Sequence, residues 1–98
     1  MIDAKVALLQ ALVHGDGYGL ELIDRVRDLT DGRVRLLQGR VYPILRDLER
    51  KGYLTSFEQE ASGPGRPRRY YSLTALGRRL ARDEATGLAR LFQKTRTA

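Results

Sequence analysis

The 98-residue sequence predicts a mainly α-helical domain with one small β-hairpin, an α+β fold in the order α-α-α-β-β-α. Three observations point there. Apolar residues recur at helical spacing in three short segments before residue 52 and in one long segment after residue 74. Two β-prone stretches lie between them, separated by the turn-forming run Ala61-Ser62-Gly63-Pro64-Gly65-Arg66-Pro67. Glycines or turn residues punctuate the boundaries, and no internal repeat is present.

Each element has its own signal. Asp3 is an expected N-cap for a first helix to about Val13, with Ile2, Val6, Leu9 and Val13 on one apolar face beside Leu12. His14-Gly15-Asp16-Gly17 reads as a break. A second helix is expected from about Tyr18 to Asp31, with Leu22, Ile23, Val26 and Leu29 on one side and Gly32 as a left-handed C-terminal cap. Arg33 to Leu37 reads as a short extended connector. The third helix is expected from about Gly39 to Lys51, where Val41, Ile44, Leu45 and Leu48 face a core and Pro43 falls early enough to be tolerated in the first turn. Tyr53 to Glu60 and Arg68 to Leu73 are the strands, with either Tyr70 or Tyr71 inward. Thr74 caps a last helix to about Thr95, with Leu76, Leu80, Leu88, Leu91 and Phe92 on one half and Arg78, Arg79, Arg82 and Arg90 on the other.

Composition closes off most chemistry. There is no cysteine, so disulfides, thiolate catalysis and cysteine-ligated metal are excluded, and one histidine, His14, does not build a zinc site. Asp83 and Glu84 are adjacent and point apart on a helix, and Gly15-Asp16-Gly17-Tyr18-Gly19 lacks a preceding strand and a complete phosphate-loop pattern. No clustered acid, base and nucleophile can be assembled, so neither enzymatic activity nor a cofactor is expected. No apolar run approaches the ~20 residues of a membrane span, and the N-terminal segment lacks a signal-peptide pattern, so the expected location is cytoplasmic.

Charge points toward a polyanion. The net charge of +6 is unevenly spread: residues 1–32 carry −3, residues 33–73 carry +5 and residues 74–98 carry +4. Three helices followed by a hairpin make the winged form of the helix-turn-helix, whose third helix presents its outer face to the major groove. Opposite Val41 and Leu48 on that helix lie Arg46 and Arg50, with Pro43 near them and Tyr42 flanking. Arg66, Arg68 and Arg69 stand at the tip of the hairpin, a place without structural need for three cations and well suited to a phosphate strand. Double-stranded DNA is therefore the expected partner. A protein-binding adaptor and a nonspecific nucleic-acid binder remain as alternatives.

Three stretches together resemble the PadR family of bacterial winged-helix regulators. They are Gly17-Tyr18-Gly19-Leu20-Glu21-Leu22, Gly39-Arg40-Val41-Tyr42-Pro43-Ile44-Leu45-Arg46-Asp47-Leu48-Glu49 running on through Arg50-Lys51-Gly52-Tyr53-Leu54, and Gly65-Arg66-Pro67-Arg68-Arg69-Tyr70-Tyr71-Ser72-Leu73-Thr74-Ala75-Leu76-Gly77. The Tyr-Pro pair inside the third helix, followed at this spacing by the wing, is the most specific part. The resemblance implies a dimeric repressor on a palindromic operator, released by a small-molecule effector bound at the dimer interface. It places Gln38, Arg40, Val41, Tyr42 and Arg46 at recognition-helix positions, Tyr18 near a phosphate, and Arg66, Arg68 and Arg69 in the wing. It divides the chain into a DNA-binding unit, 1–73, and a dimerisation helix, 74–98, whose apolar stripe of Leu80, Leu88, Leu91 and Phe92 crosses to a second subunit.

Overall fold

A computed structural model describes residues 3–60 and 65–96, with side chains through Leu91. It contains α1 (Ala4–Val13), β1 (Gly17–Tyr18), α2 (Gly19–Leu29), α3 (Gln38–Arg50), β2 (Leu54–Gln59), β3 (Arg68–Leu73) and α4 (Ala75–Arg96). The winged helix-turn-helix is thus present, with one element more than the sequence suggested.

That element is β1. Two residues are too few to show any alternation, yet Gly17 pairs with Tyr71 and Tyr18 with Tyr70, giving an antiparallel sheet of order β1-β3-β2. Arg25 of α2 holds this corner. Its guanidinium donates to the carbonyls of Ala11 at 2.9 Å, Gly15 at 2.6 Å and Asp16 at 3.0 Å, tying the last turn of α1 to the break that follows it.

The Asp3 carboxylate accepts the Lys5 N–H at 3.2 Å, so the expected cap of α1 is present. The expected single apolar face is not. Ala7, Leu8, Leu9, Ala11 and Leu12 are all buried while Val13 is half-exposed, because α2, α4 and β3 surround this central helix. Ile2 lies outside the described residues.

Helix α2 buries Leu22 and Val26 but leaves Leu29 half-exposed. It ends earlier than expected: Asp31 already has φ 52°, followed by Gly32 at 78°, and the Gly32 N–H reaches the Arg27 carbonyl at 2.7 Å. The Thr30 hydroxyl then donates to the Val26 carbonyl at 2.7 Å and accepts the Val34 N–H at 3.0 Å, steering the connector back to the core.

Helix α3 buries Val41, Leu45 and Leu48, as its period requires. Pro43 sits in the second turn, not the first, because the helix begins at Gln38. The ring lacks the N–H that would reach the Gly39 carbonyl, a group on the exposed side of the helix where solvent satisfies it. Gly52, at φ 86°, closes α3 as the Tyr53 N–H bonds the Leu48 carbonyl at 2.9 Å.

The hairpin runs from Leu54 opposite Leu73 to Gln59 opposite Arg68. Tyr71 is the inward tyrosine. Helix α4 begins at Thr74, whose hydroxyl accepts the Gly77 N–H at 3.1 Å and donates to the Gly52 carbonyl at 2.7 Å. Its core-facing residues are Gly77 and Ala81, continued by half-buried Glu84 and Leu88, and Gln10 of α1 donates to the Ala81 carbonyl at 2.7 Å. Leu76 and Leu91 remain 46% and 56% exposed, Leu80 is partly buried, and the Phe92 side chain lies outside the described residues. Burial raises the Glu84 carboxyl above its ordinary range, opposed by Lys5 nearby. No helix among the described residues is long and apolar enough to cross a membrane.

Candidate nucleic-acid interface

The outer face of α3 follows from its core. With Val41, Leu45 and Leu48 inward, the periodicity turns Gly39, Pro43, Arg46 and Arg50 outward, and all four are exposed. Gln38 and Arg40 are exposed at the start of the helix. Val41 is a correction: at 0% exposure its side chain belongs to the core and does not reach a ligand outside.

The exposed cations are not equivalent. Arg50 donates to Asp47 at 2.9 Å, and Lys51 meets the same carboxylate at 2.9 Å. Those two bonds hold the Asp47 carboxyl below the usual carboxylate range, Lys51 contributing most. Arg40, Arg46 and Arg66 form no ion pair among the described residues, so their guanidinium groups are uncommitted.

The wing is anchored by rings. Tyr70 of β3 stacks on Phe57 of β2 at 5.7 Å and meets Tyr18 edge-on at 5.3 Å, and the Arg68 guanidinium lies 4.7 Å above the Tyr18 ring centroid. Arg69 lines the same side of the wing, but its guanidinium is committed. It donates to Ser56 Oγ at 2.9 Å and to Glu58 Oε1 at 3.1 Å, while the Ser56 hydroxyl donates to Glu49 of α3 at 2.5 Å. This relay couples the wing to α3.

Tyr18, Tyr42, Arg66 and Arg68 all open on one cleft of about 580 Å³ between the wing and the start of α2. The structure therefore brings Tyr18, Tyr42 and the wing arginines together, while Arg46 and Arg50 lie along the outer face of α3. Sequence reasoning missed Phe57, Asp47, Glu49 and Glu58. Asp47–Arg50 was legible as an i,i+3 pair, whereas the Phe57–Tyr70 and Glu58–Arg69 pairings need the strand register.

Gly19 explains how Tyr42 is seated. A Cβ at Gly19 would lie 2.6 Å from Tyr42 Cε1 and 2.8 Å from its hydroxyl. The intruded atoms are the far end of a side chain able to rotate, so the cost falls on the placement of Tyr42. Gly19→Ala is expected to leave thermal stability nearly unchanged, because the gain of up to ~1 kcal/mol from losing a glycine offsets the repacking. DNA affinity should fall, and adding Tyr42→Ala to Gly19→Ala should lower it no further than Tyr42→Ala alone. Additive losses in that double-mutant cycle would separate Gly19 from Tyr42.

The transcriptional regulator PadR-like family matches residues 8–83 of the chain. No curated protein matches its sequence. Among solved structures it is similar to a transcriptional regulator from Clostridium thermocellum, at 26% identity and TM-score 0.79, covering 96% of this chain and 89% of that one. A PadR family transcription regulator from Clostridium difficile R20291 shares 25% identity at TM-score 0.77, covering 93% of this chain and 91% of that one. Bacillus subtilis PadR, solved in complex with operator DNA, shares the fold at 22% identity and TM-score 0.76, over 87% of this chain and 47% of that one.

Proposed function

The chain belongs to the transcriptional regulator PadR-like family, and from that premise we propose that it is a homodimeric repressor of a palindromic operator, acting in the cytoplasm. Helix α3 enters the major groove, with Gln38, Arg40, Tyr42 and Arg46 toward bases and nearby phosphates. Arg66, Arg68 and Tyr18 follow the backbone beside it; Arg50 joins them on leaving Asp47, while Arg69 borders the same surface and stays paired with Glu58. The carrying observation is that the wing arginines Arg66 and Arg68 line one cleft with Tyr18 and with Tyr42 of α3, while the outer face of that same helix exposes the uncommitted Arg46. The B. subtilis PadR complex with operator DNA adds support by its shared fold.

Residues 1–73 form the DNA-reading unit and 74–98 the dimerisation helix. The exposed Leu76 and Leu91 support this division, since with Leu80 and Leu88 they give α4 apolar surface that one subunit leaves partly open. An apolar groove of about 90 Å³ lined by Val6, Val26, Leu29 and Leu88 adjoins that surface. It is the place we assign to a small-molecule effector that releases DNA.

The test is selection of genomic fragments by purified protein at physiological salt, run in parallel with Arg46→Ala. The wild-type protein should retain an inverted repeat with half-sites about 10 base pairs apart or a multiple of that. Arg46→Ala should relax one position of the half-site, a loss of about 1–3 kcal/mol of discrimination. Equal loss on every sequence would make Arg46 a phosphate contact. Equal retention of all fragments by the wild type indicates a nonspecific binder, and retention of none an adaptor, and either ends the repressor reading.

A further inference from the structure

A second basic cleft lies across α3 from the wing. Arg40 and Tyr42 are two residues apart, which turns their side chains roughly 200° from each other around the helix. Tyr42 faces the wing cleft, whereas Arg40 lines a separate cleft of about 380 Å³ together with Arg33 and Arg35. The connector between α2 and α3 builds this second cleft by alternation. Val34 and Leu36 pack against the core, so Arg33 and Arg35 are turned outward and are exposed. Arg35 is partly fixed, its Nε donating to the Gly32 carbonyl at 3.3 Å, which leaves its terminal nitrogens available. Asp3 is the acid in the lining, with its Oδ1 already accepting the Lys5 N–H. None of the three arginines forms an ion pair among the described residues.

We infer that this cleft is a second phosphate-contact site for duplex DNA, in which Arg33 and Arg35, with Arg40 at its edge, hold the backbone strand opposite the one held by the wing. The inference rests on α3 occupying the major groove. That groove is about 12 Å wide and a helix with its side chains measures about 10–12 Å across, so a seated helix has one strand on each flank. The wing supplies cations to one flank, and the connector is placed to supply the other. Neither arginine faces a base edge, so their contribution is independent of sequence.

The experiment compares wild type with Arg33→Ala/Arg35→Ala on the selected operator duplex and on a scrambled duplex of equal length, between 50 and 200 mM salt. Losing two phosphate contacts should lower the salt slope by about 1.8, making the variant about twelvefold less salt-sensitive across that range. The operator-to-scrambled ratio should stay at the wild-type value. The melting temperature should also hold, since both side chains are exposed. Arg33→Lys/Arg35→Lys should recover most of the slope. An unchanged slope in the alanine variant overturns the inference while leaving the operator reading intact. A wild-type protein with neither slope nor preference overturns the operator reading first and this one with it.

Discussion

Gly77→Ala should destabilise the domain by about 2 kcal/mol. Thr74 brings the start of α4 down onto the turn between α3 and β2, its N–H donating to the Tyr53 carbonyl at 3.1 Å and its hydroxyl to the neighbouring Gly52 carbonyl at 2.7 Å. Gly77 then sits directly over the Tyr53 carbonyl, and a Cβ there would overlap its oxygen, with the Leu73 side chain 3.1 Å away. Backbone on both sides of the contact means that no rotamer change relieves it. Overpacking of this kind costs ~3 kcal/mol at its upper range, against which better helix propensity returns about 1 kcal/mol. For a domain of this size the net loss corresponds to a fall in melting temperature of roughly 10 °C, measured at fixed protein concentration. Gly87→Ala is the control. It lies in the same helix with nothing within 4 Å of its added Cβ inside the subunit, so helix propensity favours it there and the melting temperature should not fall as it does for Gly77→Ala. If the two variants melt alike, α4 is not seated on Tyr53 as described.

The same contact shows where reading from sequence ends. The period of Val41, Leu45 and Leu48 located α3 and its outer face, because a helix half in water must segregate its side chains. Helix α1 gave no such guide. It is covered on several sides, so a face was drawn through Val13 while Leu8, fully buried, was passed over. Strand β1 owes its existence to its partner in β3, and two residues carry no period of their own. At the candidate interface, the exposed arginines could be located from pattern, but not their commitments. Val41 was placed among DNA contacts because a family likeness maps positions along a chain without saying which way a side chain points. Gly77 appeared in a matching motif, yet only the packed Tyr53 carbonyl gives the physical reason for it.

Commitment also decides what the wing will show when its charges are removed. Arg66→Ala/Arg68→Ala should lower the salt slope of DNA binding by about 1.8, whereas Arg69→Ala alone should change it little. Arg66 has no acidic partner among the described residues. Arg68 holds its guanidinium carbon 4.7 Å from the Tyr18 ring centroid, a cation–π contact that places its charge in the cleft without an acidic partner among the described residues. Arg69 must first leave Glu58 and Ser56, and exchanging one anion for another yields little net counterion release. Across a fourfold rise in salt, the double variant should therefore forfeit about twelvefold of salt sensitivity, and adding Arg69→Ala should leave that figure nearly where it was. If instead the triple variant forfeits about fortyfold, all three arginines contact phosphate and the Glu58 pair opens on binding. If the slope stays at the wild-type value in the double variant, the wing lies off the DNA, and α3 alone carries the interface on that side.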